Sequence, residues 1–129
     1  MSAAKTPVKV LRTALNRIRK GWTKGHWSQK NNDGGMSVCL EGALFGYCDS
    51  PLTQAQRDAT SVVHQILKER FPERSITPEG RVVIPSFNDN PETTKDEVME
   101  VLKLAIIRIE TSDSLEEALA DDVEEMFSD

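Results

Sequence analysis

Cysteine, aromatic residues and long apolar runs are all scarce in this sequence. The two cysteines, Cys39 and Cys48, are too few for the disulfide framework of a small secreted domain. They lie nine residues apart in one predicted helix, which places them beyond the reach of a mutual disulfide. No apolar run approaches the length of a membrane span. The composition therefore predicts a single cytoplasmic domain with free thiols and no membrane segment.

Charge of one sign is missing from each end of the chain. Residues 1–30 contain eight of the sixteen Lys and Arg and no acidic residue. Residues 110–129 contain nine of the twenty-one Asp and Glu and no basic residue. Such asymmetry predicts that the two ends attract each other, within one chain or between copies, or that one end docks something else. The basic start is amphipathic, as in a mitochondrial-type presequence, but lacks the apolar core of a secretory signal.

Helical periodicity is the strongest pattern in the chain. Pro7 and Gly21 bracket a first helix, and Ser37 is the expected N-cap of a second. Two capping boxes, Thr53–Gln56 and Thr94–Glu97, open two more. The apolar faces predicted for these four helices are Val8, Leu11, Leu15 and Ile18; Leu40, Ala43, Leu44 and Tyr47; Ala55, Ala59, Val62, Val63, Ile66 and Leu67; and Val98, Val101, Leu102, Ala105, Ile106 and Ile109.

Two segments lack this periodicity. Residues 21–35 form a loop rich in Gly, Asn and Lys, in which Trp22 and Trp27 are expected to anchor onto the core. Turn signals flank Arg81–Ile84, which predicts an extended piece or a small hairpin arm without a second strand to complete a sheet. The predicted fold is all-α, a compact bundle of four to five helices over residues 1–110 with at most a minor extended segment.

An acidic helical tail is predicted for residues 111–129. Ser114 and Glu117 form a third capping box. An apolar stripe with flanking carboxylates is typical of a helix that lies in a partner's groove or against its own domain. The predicted partner-binding residues are Leu115, Leu119, Val123 and Met126 on the stripe, with Glu116 and Asp122 beside it.

Cys39 is the candidate for nucleophilic chemistry. In the first turn of the second helix, its thiolate would be stabilised by the helix dipole and by free N–H groups. His26 is the candidate base, and Asp89 or Asn88 the orienting group. The alternative, which the sequence favours, is a small buried residue in the core. The spacing of Cys and His does not match a structural zinc site, and we predict no metal and no cofactor.

The basic end suggests a third chemistry. Trp22 and Trp27, interleaved with lysines, could bind nucleic acid through phosphate contacts and stacking. The whole chain is acidic, with a net charge of -5, and the acidic tail would compete for the same surface. A solvated basic helix face followed by core-anchoring Trp side chains is the favoured interpretation.

Three motifs in a fixed order are similar to those of a known family. They are GWTKG at Gly21–Gly25, CLEGAL at Cys39–Leu44, and FND at Phe87–Asp89 ahead of a Thr-initiated helix. Over residues 8–109 the chain resembles uncharacterised small proteins of actinobacteria and their bacteriophages, although Phe87 stands where Trp is expected. The resemblance implies a shared compact fold and a phage or host source, but no activity. It highlights Trp22, Cys39, Gly42, Asn88 and Asp89, all of which suit framework roles too.

These observations favour a non-enzymatic interaction module. We expect a phage or bacterial accessory protein of the cytoplasm, or of the host cytoplasm if phage-encoded. It would bind a host protein through its basic N-terminal helix, its acidic C-terminal helix or both. The alternatives are a small cysteine-dependent hydrolase or transferase that uses Cys39, and nucleic-acid binding by the basic end. Homo-oligomers are compatible with the charge asymmetry.

Overall fold

The fold is mostly helical, with one small sheet. The computed structural model describes residues 5–26, 28–32, 34–46 and 52–111. The elements in chain order are α1 (Lys5–Lys20), β1 (Ser28–Lys30), β2 (Met36–Val38), α2 (Leu40–Phe45), α3 (Gln54–Arg70), α4 (Pro72–Ser75), α5 (Ile84–Asp89) and α6 (Lys95–Glu110).

Two parts of the fold-class prediction need correction. The described part of the chain contains six helices rather than four to five, because α4 and α5 are separate short helices that each have a proline in the first or second position. It also contains a two-stranded antiparallel sheet, so the fold is not purely all-α. The predicted acidic tail helix lies outside the described residues.

The long helices α1, α3 and α6 pack around one core, which they share with α2 and α5. Every predicted apolar position in α1 and α6 is buried, and so are those of α3 except the half-buried Ala55. Phe87 of α5 is fully buried against Phe71, with ring centroids 5.0 Å apart. The α1–α6 pair is antiparallel, because Arg12 contacts Glu110 while Arg19 contacts Lys95. Among the described helices, none has both the length and the apolar content to cross a bilayer.

Both predicted capping boxes within the described residues are confirmed. Thr53 Oγ1 accepts from the Gln56 backbone N–H at 3.1 Å, and Gln56 Oε1 accepts from the Thr53 N–H at 2.9 Å. Thr94 and Glu97 make the same reciprocal pair at 3.2 and 2.9 Å. These bonds satisfy N–H groups that a helix start leaves unpaired, and they fix where α3 and α6 begin.

The hairpin replaces the predicted loop. Ser28 pairs with Val38 and Lys30 with Met36. The hairpin docks on the end of α1, because the Val38 N–H donates to Gly21 O at 3.0 Å and the Thr23 N–H donates to Val38 O at 3.1 Å. This backbone pairing sets the direction in which the chain enters α2.

The predicted extended piece at Arg81–Ile84 is shorter than expected. Val82 forms a single antiparallel bridge with Ile76, and Ile84 already belongs to α5. Asn88 and Asp89 of the FND motif therefore lie in the last turn of a short helix. That placement carries Asn88 and Asp89 towards the start of α2 and the loop that follows α1.

Candidate functional site

An open cleft of about 160 Å³ lies between the loop after α1, the start of α2 and helix α5. The cleft collects the predicted catalytic candidates and their alternative orienting group, although they are far apart in sequence. Its lining is Gly25, His26, Cys39, Glu41, Ile84, Pro85, Asn88 and Asp89. Ile84 and Pro85 give it an apolar wall, and the other side chains are polar or titratable.

Asn88 holds the three elements of the cleft together. Its side chain is buried, with the residue 1% exposed, and all its bonding capacity is used. Oδ1 accepts from Trp22 Nε1 at 2.7 Å and from the Leu40 N–H at 3.0 Å. Nδ2 donates to Thr23 O at 3.1 Å and to Asp89 Oδ1 at 2.9 Å. One amide therefore joins α5 both to the Trp22 loop and to the first residue of α2.

Asp89 and Lys24 extend this connection towards solvent. Asp89 Oδ1 also accepts from the Gly25 N–H at 2.8 Å. Lys24 Nζ donates to Asn90 O at 2.6 Å and lies 5.3 Å from the centroid of the Trp22 ring. Trp22 is half-buried and packs against the core, as a framework residue does. Trp27 lies outside the described residues.

Cys39 is the N-cap of α2, a position that the sequence assigned to Ser37. Ser37 lies instead in β2, because the pairing of Val38 with Gly21 and Trp22 keeps the chain extended to that point. Cys39 Sγ accepts from the Gly42 N–H at 3.3 Å. Burial raises the pKa of the Cys39 thiol, and the nearby charges of Glu41 and Asp89 raise it further. The N–H groups of Gly42 and Glu41 oppose this shift without overcoming it, so the thiol is protonated at neutral pH.

Glu41 is the cleft residue that the sequence analysis missed. Burial raises the pKa of its carboxyl, and the neighbouring charge of Asp89 adds to the effect. The only signal in the sequence is a charged residue in an otherwise apolar six-residue helix. His26 lines the same cleft but is exposed, and within the described residues no hydrogen bond joins it to Cys39.

His64 and Gly42 do not line the cleft. His64 is on α3, where burial lowers the pKa of its imidazole. Gly42 is buried in α2, and its N–H is the donor to Cys39 Sγ. In the described part of the chain, no group of three or more His, Cys, Asp or Glu side chains is arranged to hold a metal ion.

The profile of a family of unknown function, DUF6197, matches residues 2–108. The chain belongs to this family. The DUF6197 match includes the whole cleft and almost all of α6, and it ends before the acidic tail. The predicted resemblance is thus confirmed at the level of an uncharacterised family. No curated protein and no solved structure shows a significant match to the chain.

A second feature of the DUF6197 region is a basic surface between α1 and α6. Lys95, Met99 and Lys103 recur every four residues, so they share one side of α6. That side faces α1, because Lys95 Nζ donates to Arg19 O at 3.0 Å. We call Arg12, Arg19, Lys95 and Lys103 the basic seam.

Two of the four acidic residues of α6 form ion pairs on its other sides. Glu97 pairs with Arg74 and Glu100 with Arg70, while Arg108 pairs with Glu69 of α3. On the seam, Arg12 pairs with Glu110. Their side chains are 61% and 44% exposed, respectively, so this ion pair contributes little to stability. The side chains of Arg19 and Lys103 form no ion pair with another described residue. Three of the four seam cations, Arg19, Lys95 and Lys103, therefore have no carboxylate partner among the described residues, whereas Arg12 is paired with Glu110.

The partner-binding residues predicted on the tail lie outside the described residues. They are Leu115, Leu119, Val123, Met126, Glu116 and Asp122. Of the two docking surfaces that the sequence suggested, the described structure therefore contains only the basic N-terminal helix, joined by two lysines of α6.

Proposed function

We propose that this DUF6197 protein is a non-enzymatic interaction module that binds an acidic segment of a protein partner along the basic seam. The observation that carries the proposal is the concentration of four cations on one side of the α1–α6 pair, of which only Arg12 is paired with a carboxylate among the described residues. Charge complementarity of this kind sets specificity and association rate. The motif resemblance supports a bacteriophage or actinobacterial accessory protein, with a cytoplasmic host protein as its partner.

Charge reversal on the seam is expected to abolish partner capture. We would compare the full chain, the variant Arg19→Glu/Lys103→Glu, and the control variant Lys30→Glu/Arg81→Glu as baits in a bacterial lysate, with and without nuclease treatment. The control makes the same change in net charge at two exposed positions on the hairpin and on the loop before α5. Quantitative mass spectrometry should show a protein that the wild type and the control retain in equal amounts. The amount of this protein on the seam variant should be about tenfold lower.

Two outcomes would contradict this function. If the three baits retain the same proteins, the basic seam is not the binding surface. If capture disappears on nuclease treatment, and binding to a duplex oligonucleotide falls steeply with salt, nucleic acid is the ligand instead. Circular dichroism of each bait confirms that the charge reversals leave the fold intact.

The second candidate function is a cysteine-dependent hydrolase or transferase. The observation in its favour is that Cys39, His26 and Asp89 line one cleft. Against it, burial and two carboxylates raise the pKa of the Cys39 thiol, whereas a nucleophilic cysteine needs its pKa lowered by a cation or a base. Thiol reactivity discriminates between these interpretations.

Cys39 is expected to react slowly with iodoacetamide at pH 7. Its alkylation rate should rise only above the pH at which a free thiol ionises. Removing the nearby charge by Glu41→Gln should speed alkylation at pH 7.5 by about twofold, because a neutral neighbour no longer opposes the thiolate. Peptide-resolved mass spectrometry measures the rate at Cys39, with Glu79→Gln on an exposed turn as the control. Fast labelling below pH 7 that His26→Ala slows would instead establish an activated Cys–His pair.

A further inference from the structure

We propose that the acidic C-terminal segment, residues 112–129, docks on the basic seam of its own chain. The inference rests on the proposed function, since it gives the same surface a second ligand that a partner must displace. Four observations support it: the point at which the segment leaves the fold, its length, its charge and the apolar floor of the seam.

The segment begins beside the surface that it would cover. Helix α6 ends at Glu110, and the carboxylate of Glu110 pairs with Arg12 of α1. The chain therefore leaves the described structure at one end of the seam. No long linker is needed, because Thr111 is the next residue and is the C-cap of α6.

The length also matches. Helix α6 has 16 residues and spans about 24 Å at the rise of an α-helix. The sequence predicts a helix from about Leu115 to Phe127, which would span about 20 Å. After a reversal at residues 112–114, such a helix could run back along the seam from Arg12 to Lys95 without exceeding its length.

Charge complementarity favours this occupant over an unrelated one. The segment from Ser112 to Asp129 carries eight Asp and Glu residues and no cation, while α1 carries no acidic residue. Glu116 and Asp122 flank the apolar stripe at helical spacing and would face the seam cations on either side. Each exposed ion pair is worth little by itself, but several pairs formed by one tethered segment add together because tethering raises its local concentration.

The floor of the seam is apolar but mostly buried. Val8, Leu15 and Ile106 keep 6%, 7% and 8% exposure, the highest values among the buried apolar residues. Val8 and Leu15 are seven residues apart on α1, so they line the same side of the helix. Met99 is half-buried against the core, and Ile107 in the last turn of α6 is 54% exposed. Leu115, Leu119, Val123 and Met126 would cover this remaining apolar surface.

Hydrogen–deuterium exchange of the full chain tests the inference without a partner. At low salt, amides of residues 115–127 should exchange at least about fivefold more slowly in the wild type than in Arg19→Glu/Lys103→Glu. The control Lys30→Glu/Arg81→Glu should keep the wild-type rate. Raising the salt concentration from about 0.02 to about 0.5 M should remove most of the protection in the wild type, because exposed charges are then screened.

Three results would overturn the inference. The first is the absence of protection in the wild type, and the second is protection that the seam variant retains. The third is a wild-type dimer in sedimentation velocity that is absent in the seam variant, because the segment would then dock on a second copy. The exchange experiment measures only the chain's own tail. If it shows no docking of the tail, a partner captured from the lysate would still support the proposed function. If no partner is captured but the tail is protected from exchange, the docking of the tail is still supported.

Discussion

Replacing Asn88 with alanine is expected to lower the free energy of unfolding by about 3 kcal/mol. The substitution removes four hydrogen bonds at a residue that is 1% exposed. The Leu40 N–H suffers most, because it is a buried donor at the start of α2 and would lose its partner. Trp22 Nε1 and Thr23 O are half-buried, so water can restore part of their bonding.

Urea unfolding followed by circular dichroism measures this loss, with Asn90→Ala as the matched control. Asn90 is half-buried, and its side chain makes one described hydrogen bond, in which Oδ1 accepts from the Glu92 N–H at 2.9 Å. We expect the control substitution to lower the free energy of unfolding by about 1 kcal/mol. If the two variants lose the same stability, Asn88 is not the connection that holds the cleft together, and its burial needs another explanation.

The long helices were predictable because their signals are local. The apolar faces of α1, α3 and α6 repeat at helical spacing, and two reciprocal capping boxes mark the starts of α3 and α6. Pro72, which begins α4, ends α3 for a reason that is visible in the sequence. None of these features requires knowledge of what the helix packs against.

The hairpin and the cap of α2 were not predictable in the same way. Each strand has three residues, too few to show a period of two, and β1 is polar. Ser37 is a better N-cap than cysteine by local preference. Tertiary pairing overrides that preference, since Val38 bonds to the backbone of Gly21 and Thr23 and delays the helix until Leu40.

The sequence selected some residues of the cleft but missed Glu41, and it did not reveal the contacts that each residue makes. Cys39, His26, Asn88 and Asp89 were all selected from the sequence, and they line one cleft. Residue type does not reveal that Asn88 uses all its bonding groups internally or that Cys39 faces two carboxylates. The charge asymmetry of the sequence shows that α1 is basic. The contribution of Lys95 and Lys103 to the basic seam cannot be seen in the sequence, because it depends on which side of α6 faces α1.

Replacing Gly21 with alanine is the second substitution with a large expected effect, a loss of about 2 to 3 kcal/mol. A methyl group at this position would lie 2.6 Å from Ser37 Oγ, 2.9 Å from Met36 O and 3.1 Å from Ser37 Cα. Two of these three atoms belong to the backbone of β2, so a side-chain rotation cannot relieve the overlap. The strand must move away from the end of α1, which would stretch the 3.0 Å bond from the Val38 N–H to Gly21 O.

Gly80→Ala is the control that separates this crowding from backbone strain. Gly80 has a φ of +87° and no atom within 4 Å of an added methyl group, so alanine there costs only the left-handed conformation, about 1 kcal/mol. Thermal and urea unfolding of both variants give the comparison. Because β2 leads directly into Cys39, a shifted strand should also change the alkylation rate of that thiol in Gly21→Ala but not in Gly80→Ala. A loss in Gly21→Ala no larger than that of its control would mean that the hairpin yields freely, and that Asn88 alone positions the start of α2.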